Sequence, residues 1–301
     1  YVACAASSAA QTLNRPARSA LMPSIVPPAM LENALTWSSG AFQLAAVAGP
    51  ALAGLIIAAT RNATVVYAVA LTLLALALLS ASRVRRQPMQ GPPSGRTWRD
   101  LFAGVTHVWS TQVILAVISM DLLAVLFGGA TALLPIYAKD ILQVGPTGLG
   151  WLAAATPAGA CLMALAQGHL PPSKRPGVRF LWAVGGFGAA TVVFGLSTVF
   201  WLSMLSLVAI GALDNISVVT RQTVVQTYTP DALRGRVSSV NSVFISTSNE
   251  LGAFESGLVA SLTTPVFAVA SGGVATMLLV AAGALLFPRL RQMKSLVGPA
   301  T

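Results

Sequence analysis

The chain reads as an all-α, polytopic membrane protein of about nine transmembrane helices, and three observations predict this. Of 301 residues, 55% are hydrophobic and only 9% charged. The apolar residues gather in runs as long as a bilayer is thick. The basic residues fall between those runs on alternate sides. A helix rising about 1.5 Å per residue needs about 20 residues to cross a hydrocarbon core of ~30 Å.

Taken in order, a partial run from Tyr1 to about Asn14 opens the chain. It is followed by Leu35 to Ala59, Val65 to Ser82, Val113 to Tyr137, Leu149 to Ala166, Phe180 to Leu196, Phe200 to Val219, Val237 to Leu262 and Val266 to Phe287. No hydrophilic block approaches the ~100 residues of a soluble domain, so no separate enzymatic module is expected.

The net charge of +10 is distributed by topology. If the segment of Arg15 and Arg18 is cytoplasmic, 16 of the 18 basic residues lie on inside connections. Only Arg61 and Lys139 lie outside. That asymmetry sets the orientation, with a cytoplasmic C-terminus, and argues against nucleic acid as a partner. Cys4 and Cys161 lie in apolar runs without paired spacing and read as packing residues. His107 and His169 begin no metal pattern, so no metal or cofactor is expected.

An internal repeat orders the spans. A shift of 203 residues lays Arg18 on Arg221, Pro27 on Pro230, Ala29 on Ala232, Met30 on Leu233 and Ser39 on Ser242, each at a helix-loop-helix junction. Two parallel six-span halves make twelve spans, and three of them would precede Tyr1 in roughly 90 to 100 further residues. The visible runs become spans four to twelve. Residues 1–82 then close the first half, 83–111 link the halves, and 112–301 form the second. Near the end of the linker, Trp98, Leu101, Phe102, Val105, Val108 and Trp109 share one helical face. That segment is either an interfacial amphipathic helix or the start of span seven.

Polar residues inside spans mark function, because a charge there costs at least ~2.5 kcal/mol on insertion scales. Half of the eight acids are so placed: Asp121 in span seven, Asp214 in span ten, Glu250 and Glu255 in span eleven. Asp121, Asp214 and Glu250 are candidate proton carriers. On span eleven, Ser242, Ser246, Asn249, Glu250 and Ser256 gather on one side, whereas Glu255 falls elsewhere and suits a helix interface or outer gate. Asp214 and Arg221 share a face two turns apart, and Arg221 is expected to meet an acid across the interface between halves. Arg221, Arg234 and Arg236, with Glu255, are gating or half-interface candidates. Gln43, Gln222, Asn241 and Asn249 are candidate substrate contacts.

Gly49, Pro50 and Gly54 fit the antiporter pattern G-x8-G-x3-G-P-x2-G-G in part, with Thr36, Ala45 and Ala53 at its other small positions. Asp121 to Tyr137 (DLLAVLFGGATALLPIY), Asp214 to Gly257 and RPARSALMPSIVPPAMLENALTWSS resemble the major facilitator superfamily, in its transmembrane secretion effector, enterobactin-exporter-like branch. The resemblance implies a major facilitator fold lacking about three N-terminal helices, in a bacterial inner membrane. It also implies export of a small hydrophobic or amphipathic molecule by alternating access, with protons as the other partner, by a monomer. Spans four, five, seven, eight, ten and eleven would surround the cavity. The loop Gly168 to Gly177 lacks the acid of the superfamily's G-x3-D-R-x-G-R-R loop. A lipid-modifying membrane enzyme or a non-transporting scaffold are the alternatives, but no catalytic cluster of His, Ser or metal ligands is visible.

Overall fold

The computed structural model describes residues 30–83, 98–169, 175–230 and 233–293. Span four, the Arg15 and Arg18 segment, most of the linker and residues 170–174 of the span eight to nine loop lie outside them. The described residues are helical, without strands: α1 (Leu31–Thr60), α2 (Ala63–Ser82), α3 (Trp98–Ser110), α4 (Gln112–Phe127), α5 (Gly145–His169), α6 (Pro176–Leu196), α7 (Phe200–Thr227), α8 (Arg234–Leu262), α9 (Pro265–Leu286) and the single turn α10 (Pro288–Arg291).

Among the described residues, seven helical stretches are long and apolar enough to cross a membrane: Gly40–Thr60, Ala63–Ser82, Gln112–Ile141, Gly145–His169, Pro176–Leu196, Phe200–Thr227 and Pro265–Leu286. α8 also has the length, about 44 Å at 1.5 Å per residue, but its serines, amides and acids make it too polar to stand among them.

Two compact units divide the chain. The first comprises Tyr1–Ala46 and Thr64–Gly95, the second Val47–Ala63 and Arg96–Thr301. In the first, α2 buries no residue, and Leu71, Leu74 and Leu78 stand open as they would in lipid. The second holds the core. There α6 lies along α9 and α7, α5 lies along α7, and α4 is flanked by α7, α8 and α9. Small residues permit this closeness: a methyl on Gly188 would lie 2.8 Å from the Gly273 carbonyl oxygen, and one on Gly273 2.7 Å from that of Gly188.

The core of the second unit comes in two parts. One gathers Val108, Ile114, Val117, Phe180, Val184, Val224, Val237 and Leu290. The other gathers Leu133, Tyr137, Leu152, Phe194, Leu207, Ile210 and Val269. Tyr137 and Phe194 stack with ring centroids 4.6 Å apart, and the buried Tyr137 hydroxyl donates to the Gly195 carbonyl at 2.8 Å.

Two of the spans gain detail in the structure. Span seven is not one continuous α-helix: α4 ends at Phe127, and the chain continues as a 3₁₀ turn over Ala130–Leu133, one α-turn and a π-turn over Tyr137–Ile141. Gly128 and Gly129 interrupt it, and the missing side chain of Gly129 lets that backbone approach within 2.7 Å of the Gly252 carbonyl, measured from an ideal Cβ. Span ten runs two turns past Val219, because polar residues that ended the apolar run still propagate the helix.

The linker end forms its own helix, α3, set off from α4 at Thr111. Gly104 and Val108 face inward, Gly104 against the Arg236 backbone, while Phe102 and Trp109 are exposed. His107 Nε2 lies 3.2 Å from the Tyr228 carbonyl at the end of α7 and ties α3 to it.

Candidate transport site

Asp121 is the one charged residue of the otherwise largely apolar α4. A carboxylate on such a helix is held away from lipid, and Asp121 is 3% exposed. Its two oxygens are both used. Ser217 Oγ of α7 donates to Oδ1 at 2.8 Å, and Arg221 Nη1 of α7 donates to Oδ2. Ser217 and Arg221 stand four residues apart, so one face of α7 grips the acid from two successive turns. Arg221 is equally buried, and its Nε finds no partner among the described residues.

Asp214 precedes Ser217 by about one turn on the same face. It is half-buried, and no hydrogen bond or ion pair reaches it from the described residues. A small cavity joins the two aspartates, walled by Ala124, Val125, Val184, Phe187 and Ser217. Val125, Phe187 and Asp214 also line a larger cleft of about 200 Å³. The backbone break of span seven supplies one wall of it, from Gly128 to Ala132. Leu207 and Ile210 supply apolar surface, and Thr131, Thr156 and Asn249 supply polar groups. The Thr156 hydroxyl is buried and has no partner among the described residues. This polar pair of spaces lies at the seam of the two core parts, since of its lining residues Ala124 and Val184 belong to one and Phe187 and Ile210 to the other.

α8 presents three sides. Val237, Asn241, Ser248, Gly252 and Ser256 are buried on its packing side. Val243, Leu251, Phe254 and Leu258 form an exposed apolar side. Ser238, Ser242, Ser246, Asn249 and Glu250 form an exposed polar side. An exposed polar stripe on a bilayer-length helix requires water, a cavity or a partner to face.

α1 joins the second unit through its later half. A methyl on Gly54 would sit 2.7 Å from the Pro146 carbonyl oxygen and 3.0 Å from Gly150 Cα of α5. One on Gly150 would sit 2.6 Å from the Pro50 carbonyl oxygen. Pro50 and Gly54 of the antiporter-like pattern are therefore an α1–α5 contact, whereas Gly49 is exposed with nothing near its Cα hydrogens.

The remaining candidates are spread out. The acid that Arg221 meets is Asp121, which lies in the same compact unit. Asn241 is buried on the packing side of α8 with its Oδ1 unpartnered among the described residues, and Gln222 is exposed. Gln43 is half-buried in α1. Arg234 is exposed and donates through Nε to the Gln226 carbonyl at 3.2 Å, while Arg236 is half-buried against α3. Glu255 is half-buried beside Ser256, whose hydroxyl lies 3.5 Å from Oε2, and Glu250 is exposed.

Sequence reasoning missed Ser217, Phe187 and Thr156. Ser217 was recoverable, since it lies between Asp214 and Arg221 on their common face. Phe187 and Thr156 sit in ordinary apolar runs, and only the packing of α5 and α6 on α7 brings them to the acids. A polar relay was also missed: Arg179 Nη2 donates to Gln167 Oε1 at 3.1 Å, and Gln167 Nε2 donates to Asn215 Oδ1 at 2.9 Å, linking α6, α5 and α7.

Comparison with known proteins fits a helical membrane protein. Two relatives, each named Enterobactin exporter EntS, come from Escherichia coli O81 (strain ED1a) and Shigella boydii serotype 18 (strain CDC 3083-94 / BS512). Each is 28% identical to this chain over 257 residues, which is 84% of this chain and 60% of the relative. The chain thus spans about three fifths of the length of the curated relatives it matches. The profile of the Major Facilitator Superfamily matches residues 1–253, which takes in α1 to α7 and most of α8 with every candidate acid but Glu255. With its membrane-length helices, its buried Asp121–Arg221 pair and its polar α8, the chain belongs to the major facilitator superfamily, a family of membrane transporters rather than enzymes.

Proposed function

We propose that the protein is a proton-coupled exporter of a small hydrophobic or amphipathic molecule, working by alternating access as a monomer in a bacterial inner membrane. The observation that carries this reading is the exposed polar side of α8, where Glu250 stands beside Asn249, a cleft-lining residue. An ionisable group held on the polar face of a membrane helix can take up a proton from one side and release it to the other as two halves rock. Export as the direction follows the names of the two relatives.

The acids divide by their partners. Asp121 is occupied by Arg221 and Ser217 and holds α4 to α7. Asp214, open to the cleft, serves the substrate side, with Asn249 as a further contact. Glu250 is the proton carrier. Arg234 and Arg236 act at the cytoplasmic gate, and Glu255 acts at the helix interface. The basic residues Arg175, Arg179, Arg289 and Arg291, at one set of helix ends, support a cytoplasmic C-terminus. On this reading residues 1–82 belong to the first half, 83–111 to the linker and 112–301 to the second half.

Counterflow in proteoliposomes tests the carrier reading. The full-length protein, loaded with an unlabelled amphipathic compound, should transiently accumulate its labelled form; if no compound shows counterflow, the protein is not a carrier.

A further inference from the structure

We infer that the cleft beside α7 recognises a cationic head group, such as an alkylammonium, with Asp214 as its counter-ion and the Phe187 ring as its apolar wall. This assignment rests on reading the cleft as a substrate site. Four features lead to it.

The first is charge balance. Asp121 meets Arg221, so those two charges cancel, and among the described residues no cationic side chain lines the small cavity or the cleft. Asp214 remains as the one acid there without a partner among the described residues. A half-buried carboxylate within a membrane-length helix is costly without a counter-charge, and a ligand cation supplies what the fold omits.

The second is the ring. Phe187 is 8% exposed and shares both spaces with Asp214. An aromatic ring beside a carboxylate is a pairing that favours ammonium groups over neutral ones.

The third is size. About 200 Å³ falls below the ~300–1,000 Å³ of sites that enclose a whole drug-sized ligand, so the cleft takes a head group and leaves the tail outside. The fourth is the unpartnered Thr156 hydroxyl, which with Asn249 offers hydrogen bonds to a primary or secondary ammonium beyond those Asp214 accepts.

The test is calorimetric titration of the full-length protein in detergent with two probes of equal shape: 4-phenylbutylammonium and its uncharged isostere with a methyl group in place of the ammonium. The wild type should bind the cation roughly ten- to hundredfold more tightly, the range expected when a charged group is engaged. Asp214→Asn should erase that preference, Asp214→Glu should keep most of it, and Phe187→Leu should reduce it by about three- to tenfold. If Asp214→Asn does not fold, the Phe187→Leu and Asp214→Glu titrations read the same preference.

Equal binding of both probes by the wild type, which is the result if Asp214 is held protonated, overturns the assignment. So does a preference that survives Asp214→Asn, or binding of neither probe. Counterflow keeps the two readings apart. Carriage of neutral compounds without cation preference removes the head-group site and leaves the carrier. Cation preference without counterflow of any compound removes the carrier and leaves the site.

Discussion

Arg221 on α7 donates to the carboxylate of Asp121 on α4, and the two side chains, 100 residues apart in sequence, are each no more than 5% exposed. Two charges that would be costly alone in membrane-spanning helices are neutral together. Removing one partner should therefore cost about 3–5 kcal/mol, as for other buried pairs broken on one side. Asp121→Asn and Arg221→Gln should each lower the thermal unfolding midpoint of the purified full-length protein. The double variant should be more stable than the sum of the two single losses predicts. Additive losses would mean that the two residues do not stabilise each other.

The antiporter-like pattern should separate into one tight position and one open one. Gly54 lies against Pro146 and Gly150, so Gly54→Val overpacks the α1–α5 contact and should cost about 1–3 kcal/mol. Gly49→Ala meets nothing within 4 Å and should be neutral or stabilising by up to about 1 kcal/mol, since alanine is the better helix former. Thermal unfolding of the two variants decides. A larger loss at Gly49 than at Gly54 would contradict the contact.

Topology is open to labelling. In a background lacking Cys4 and Cys161, cysteines at Arg175 and Arg289 should react only with a reagent added from the cytoplasmic side, and one at Lys139 only from outside. Reaction of the Arg175 and Lys139 sites from the same side would break the alternation of α5 and its neighbours.

Most of the helices were legible because lipid imposes one simple demand, a run of about 20 apolar residues, and α1, α2, α5, α6, α7 and α9 meet it openly. α8 was legible despite its polarity because Val237, Phe244, Leu251 and Leu258 keep a helical rhythm. The break at Gly128 and Gly129 was not. Apolar composition says nothing about which glycine pair must admit a neighbouring backbone, and here that neighbour is Gly252, more than 100 residues on. The acids were found as costly residues, but their partners were not. Spacing along α7 showed that Asp214 and Arg221 share a face, while the choice of Asp121 as the acid for Arg221 depends on how α4 packs on α7. Phe187 and Thr156 carry no local signal and enter the cleft only through helix packing.

The most direct measurement of the central claim is steady-state accumulation in proteoliposomes under an imposed pH difference of about one unit. A carrier exchanging one proton for one singly charged cationic substrate is electroneutral and can then concentrate that substrate up to about tenfold, because one pH unit is worth about 1.4 kcal/mol. The wild-type protein should approach this ratio, and Glu255→Gln should still accumulate substrate, if more slowly. Glu250→Gln should equilibrate without accumulation while keeping counterflow exchange. Accumulation by Glu250→Gln to the wild-type ratio would contradict the assignment of the proton to α8.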